Sequence, residues 1–241
     1  MKTKILRLLF VLVLCVSLIG CGDRNAEQPD ISQSSAINDV TTTVTTSDVT
    51  TSSTFEEHSL LKSYKGVLLS EDEFFSVQNK KKMVLNDFLT DKEALGAVYT
   101  LTHFTIVGMD DDLVPEVVLE LSRHNEPEAY IILHDDGNMV YGHMIYIRSF
   151  QQLKTDGSFI FSSGAADSGS AKISFDADTL KTDILGYSQS SQGDTGITIS
   201  YTIGDKPVTK EDFNQFIKEQ TEKEDVTWQE FSPINIDTAF A

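Results

Sequence analysis

At 241 residues with a formal net charge of −18, the chain is too acidic to be drawn to nucleic-acid phosphates or to dock directly on anionic lipid headgroups. Such a surface suits solubility, a basic partner or a metal cation. The two cysteines, Cys15 and Cys21, both lie near the start, so residues 22–241 hold no thiol for a disulfide, a cysteine-ligated zinc site or a nucleophile.

Lys2, Lys4 and Arg7 accompany an apolar run from Ile5 to Ile19, the pattern of a secretory signal and too short for a stable spanning helix. The run ends in Leu18-Ile19-Gly20-Cys21, which resembles the lipobox processed by lipoprotein signal peptidase. The resemblance implies thioether attachment of diacylglycerol to Cys21 and cleavage before it. It also implies a lipid-anchored protein on the extracytoplasmic face of the cell membrane. Each buried acyl methylene adds about 0.8 kcal/mol, so a diacyl anchor holds far better than one myristoyl chain. An ordinary signal peptide with a coincidental cysteine is the other reading. Loss of the three basic leader residues takes the charge from −18 to −21.

Residues 1–20 are thus read as a signal peptide, and 21–54 as the lipidated cysteine and a linker. In that linker Thr41-Thr42-Thr43-Val44-Thr45-Thr46 and Thr50-Thr51-Ser52-Ser53-Thr54 sit among Asp, Asn and Gln, with no aromatic residue. Such a composition cannot bury enough apolar surface to offset its ordering entropy, which predicts disorder. A flexible tract of this length has an r.m.s. span of roughly 30 Å and a stretched reach of roughly 110 Å. Residues 55–241 remain, enough for one core and read as a single domain.

Within that domain, His58 to Tyr64 enters as a short helix or strand. Ser70-Glu71-Asp72-Glu73 has capping-box spacing ahead of Phe74 and Phe75, which predicts a helix near 70–77. Lys80-Lys81-Lys82 reads as a solvated turn, Met83 to Leu89 as a packed segment, and Thr90-Asp91-Lys92-Glu93 as a helix start or turn. From Tyr99 the pattern changes to strands: Tyr99 to Val107, Val117 to Leu121, and Ala129 to Leu133 with Met139 to Ile147 around the hairpin turn Asp135-Asp136-Gly137-Asn138. Asp156-Gly157 turns the chain into Phe159-Ile160-Phe161, and Ile173 and Phe175 alternate with polar residues. Ile197 to Ile203 alternates strictly, as a strand with one wet face does. Thr209 caps a final helix carrying Phe213, Phe216 and Ile217, with Asp212 at the box position, and Trp228 and Phe231 pack the tail back. Short turns between successive strands and no βαβ alternation predict an α+β fold. Its centre is an antiparallel β meander, with short helices at the N-terminal side and a C-terminal helix.

The acidic run Gly108-Met109-Asp110-Asp111-Asp112-Leu113-Val114-Pro115-Glu116-Val117 is the richest candidate site. Alternate acidic residues in a loop can aim oxygens at one Ca²⁺, which wants six to eight of them, and Asp110, Asp112 and Glu116 are the expected ligands. A solvated turn held by aspartate side chains is the plainer reading. With the hairpin and Leu153-Lys154-Thr155-Asp156-Gly157, the run resembles that of uncharacterised lipoproteins of low-GC Gram-positive bacteria. Their domains carry D-x-D-x-D-G-x-P-E followed by Leu or Val. Pro115-Glu116-Val117, Asp110 and Asp112 match; Gly108 replaces the first aspartate and Leu113 the turn glycine. The resemblance implies no activity.

Other constellations are weaker. His58, His103, His124, His134 and His143 form no H-E-x-x-H or i, i+4 pair, so no zinc motif is present. The small-residue stretch Ser162 to Ser170 lacks G-x-S-x-G and reads as a flexible surface loop. No nucleotide-binding glycine motif occurs. The expectation is therefore a membrane-anchored, non-catalytic binding or sensing domain for an envelope protein, a sugar or an ion. The alternative is a cell-envelope carbohydrate hydrolase using a carboxylate pair, to which Asp135-Asp136 and many other acidic residues could contribute. A two-lobed solute receptor fits worse, since the strand–helix alternation its lobes need is missing.

Overall fold

The computed structural model describes residues 61–110, 112, 114–193 and 196–241. Cys21, the leader and the Thr-rich tract lie outside them.

Residues 61–68 form helix α1. The helix expected over 70–77 is absent. Ser70 takes a φ of 58°, which an N-cap does not adopt, and its hydroxyl accepts from the Asn86 N–H rather than from its own next turn. Glu71 and Asp72 instead donate to the Gly66 carbonyl as the chain leaves α1, and Phe74–Ser76 becomes strand β1. Lys81–Met83 pairs with it as β2, so two of the three lysines lie in a strand. Helices α2 (Leu85–Thr90) and α3 (Lys92–Leu95) follow, with Leu85 and Phe88 of α2 turned inward.

Four strands then run back and forth: β3 (Thr100–Val107), β4 (Glu116–Arg123), β5 (Glu126–Asp135) and β6 (Val140–Tyr146). Along β4, Val117, Leu119 and Leu121 enter one apolar cluster and Val118 enters another; Ile131, Leu133 and Ile132 divide the same way along β5. Both faces of these strands are therefore covered, which is why they read as continuous apolar runs. Each fully buried Leu or Ile is worth roughly 1.5–3 kcal/mol of transfer free energy.

After a 3₁₀ turn (Ile147–Ser149) come β7 (Phe159–Ser162), β8 (Ser168–Asp176), the 15-residue β9 (Thr179–Gly193), β10 (Gly196–Ile203) and β11 (Lys206–Pro207). Helix α4 (Lys210–Thr221) is capped by the Thr209 hydroxyl, which accepts from the Asp212 N–H at 3.1 Å. The chain closes with β12 (Gln229–Glu230) and a further helix, α5 (Pro233–Ala239).

Among the described residues the strands form two sheets rather than one meander: a seven-stranded sheet in the order β12-β3-β4-β5-β6-β1-β2, and a five-stranded sheet β11-β10-β9-β8-β7. All neighbours are antiparallel except β1 and β6, which pair in parallel through a crossover. One face of the larger sheet carries the cluster containing Tyr64 of α1, Phe88 of α2 and Ile236 of α5. Its other face meets β7 and β8 through Val107, Val118 and Ile132 against Phe159, Ala171 and Ile173. The molecule is thus sheet-rich, with mainly antiparallel sheets and a few short helices.

Candidate functional site

Antiparallel pairing sets Val117 of β4 opposite Leu133 of β5, and one step outward Glu116 meets His134. Side chains alternate across a strand, so both turn from the helix-covered face toward the second sheet. Glu116 is 0 % exposed; its Oε2 accepts the Met109 N–H at 2.8 Å and its Oε1 lies 3.2 Å from His134 Nδ1. His134, 5 % exposed, stacks on Phe175 of β8 with centroids 4.5 Å apart and planes 12° apart. His143 of β6 leans on the same ring at 5.4 Å.

The acidic loop is folded by its own aspartates. Asp110 Oδ1 accepts the Asp112 N–H at 3.1 Å, and Asp112 Oδ1 accepts the Val114 N–H at 2.8 Å, two successive aspartate turns. Asp110 Oδ2 accepts from the Phe175 N–H at 3.3 Å and ties the loop to the second sheet. Gly157 also secures it. That residue has a φ of +75°, and a Cβ there would stand 2.7 Å from the Gly108 carbonyl oxygen. The two stretches singled out in the sequence, 108–117 and 153–157, thus abut.

One carboxylate oxygen each of Asp112 and Glu116 and one ring nitrogen of His134 lie within 4.8 Å of one another. Burial raises the Glu116 pKa; the His134 and Met109 hydrogen bonds oppose it, and the Asp110 charge adds to it. Burial also raises that of Asp112, against the Val114 hydrogen bond and with help from Asp110. Burial works to lower the pKa of His134, but the bond and charge of Glu116, with Asp112 and Asp110, outweigh it and move the ring upward. Outside the cluster, burial and the charge of His134 bring His143 down to about 4.

Beside the cluster opens a cleft of about 630 Å³. Among the described residues, Asp110, Asp112, Asp135, Asp136 and Asp183 line it, together with Lys172. His134 borders the same space.

Of the residues expected to hold a cation, Asp112 and Glu116 come together, while both oxygens of Asp110 are taken by backbone donors. Asp111 and Leu113, like Cys21, lie outside the described residues. His134 joins the set unforeseen, because only strand register connects it to Glu116. His103 pairs with Glu120 at 2.9 Å, and His124 sits in the β4–β5 turn. Ser162 to Ser170 is not a free loop: Ser168 to Ser170 belong to β8, and the Asp167 carboxylate accepts from the Ser190 N–H. None of its serines bonds a histidine among the described residues.

No protein-family model, curated protein or solved structure matches this chain. No described helix is long and apolar enough to cross a membrane.

Proposed function

We propose that the protein is a lipid-anchored, extracytoplasmic binding domain, non-catalytic, whose ligand is positively charged and sits in the cleft between the β4–β5 end and β8. The observation that carries this reading is the cleft lining itself, five carboxylates against one ammonium among the described residues. Low-dielectric walls focus such a field and concentrate cations before any specific contact forms. The lipobox at Cys21 and the Thr-rich tract supply the anchor and spacer, and the likeness to Gram-positive lipoproteins agrees with them.

Two experiments test it. Cells making the full chain should carry it in the membrane fraction, and Cys21→Ser should release it. Full chain purified in detergent should bind hexaamminecobalt(III), a cation that keeps its own ligands and senses charge alone. Asp135→Asn with Asp183→Asn should weaken that binding roughly thirtyfold, each charge being worth of order 1 kcal/mol near a surface. Equal binding by the double variant refutes the cleft.

A hydrolase reading draws on Asp112 and Glu116, two close carboxyls both held above their ordinary range. The burial of Glu116 counts against it: an ion fits where a sugar ring does not. Turnover of cell-wall glycan that vanishes in Glu116→Gln would reverse this ranking.

A further inference from the structure

We infer that Asp112, Glu116 and His134 form a binding site for a divalent transition metal of the Zn²⁺ class, rather than for Ca²⁺. This rests on the reading of the cleft as a cation site and names the ion at its floor.

The donor set decides between the metals. Ca²⁺ takes six to eight oxygens, and among the described residues this cluster gathers oxygens of two carboxylates only, beside an imidazole nitrogen. Both oxygens of Asp110 accept backbone N–H groups, as do Oδ1 of Asp112 and Oε2 of Glu116. The cluster itself brings together one oxygen on each of two carboxylates and an imidazole nitrogen. Imidazole with carboxylate suits Zn²⁺ and its neighbours, and three protein donors leave a fourth position for water or a ligand.

His134 is prepared for this role. It is nineteen-twentieths buried yet borders the cleft, and Phe175 fixes its ring plane. Its Nδ1 contacts Glu116, while among the described residues no hydrogen bond reaches its Nε2. An ion there lies between the His134 ring and the two carboxylates, and its open position faces the cleft.

Isothermal titration of the full chain in detergent, purified without a histidine tag, tests the assignment with ZnCl₂, CaCl₂ and hexaamminecobalt(III). Zn²⁺ should bind one per chain and at least about 100-fold more tightly than Ca²⁺. His134→Gln should cost about 100-fold or more in Zn²⁺ affinity, since even the outer partners of metal ligands are worth roughly 10–100-fold. Asp112→Asn, at an exposed position, should weaken Zn²⁺ binding as well and serves if the buried variant does not fold. His103→Gln, at the exposed His103–Glu120 pair, should change nothing. Co²⁺ should develop visible absorption bands of nitrogen–oxygen ligation that His134→Gln abolishes. Ca²⁺ binding as tightly as Zn²⁺, or Zn²⁺ affinity untouched in both ligand variants, overturns the assignment. Hexaamminecobalt binding without Zn²⁺ binding defeats the metal site and leaves the acidic cleft standing; loss of both defeats the two together.

Discussion

Strands β4 and β5 and the β9–β10 hairpin share one backbone geometry and differ in almost everything else. On β4 and β5, Val117, Val118, Leu119, Leu121, Ile131, Ile132 and Leu133 are all fully buried, divided between the two faces. On β10 no residue is buried, and Ile197 is 70 % exposed. The first pair is held by side chains pressed from both sides. The second is held by its ladder and by α4, where Tyr201 meets Phe213 and Phe216 lies against Gly186. A ladder alone contributes little, because folding exchanges hydrogen bonds to water for hydrogen bonds within the protein. Glu116 and His134 stand at the end of the well-packed pair, where positions are held most firmly.

The strongest break in this comparison is Leu119→Ala, which should cost about 2–5 kcal/mol in urea unfolding through lost transfer energy and a cavity. A cost below about 1 kcal/mol would mean that this sheet is not the core. Next comes pH. His143 has a native pKa of about 4, against 6.5 for the free group, because burial and neighbouring His134 disfavour its charge. The unfolded chain therefore takes the proton first. Stability is complete above about pH 6.5 and declines as pH falls toward 4, by at most about 3 kcal/mol. The difference in unfolding free energy between pH 7.5 and 4.5 should shrink in His143→Leu. Removing the α4 cap with Thr209→Ala should cost about 1 kcal/mol and raise amide exchange first in the β9–β10 region. Smallest of all, Ile197→Thr should shift the melting midpoint by an amount corresponding to less than about 0.5 kcal/mol.

The same contrast explains what could be read from the residues in advance. The strands within Tyr99 to Ile147 were legible because residues buried on both faces leave an apolar run in the sequence. Strand β9 was not: Lys181-Thr182-Asp183 and Ser188-Gln189-Ser190-Ser191-Gln192 carry no apolar alternation, since nothing covers most of that strand. The spacing at Ser70 misled for a different reason. A serine with a glutamate three residues later serves a helix start only when its backbone is extended, and here the backbone is left-handed. Asp112 and Glu116 were singled out by their spacing alone, and the fold brings them within reach of each other. His134 could not be, lying 18 residues from Glu116 and beside it only through the register of β4 and β5.

The last strand and helix have a consequence for the order of events during synthesis. Phe104 of β3 is covered by Phe231 and Phe240, and β12 supplies the outer neighbour of β3. Until those distant residues emerge from the ribosome, the larger sheet has an open edge and a bare aromatic ring. Such non-local closure slows folding and leaves the nascent chain prone to stick to its neighbours. A chain cut before Gln229 would stay in that state, however complete its first nine-tenths.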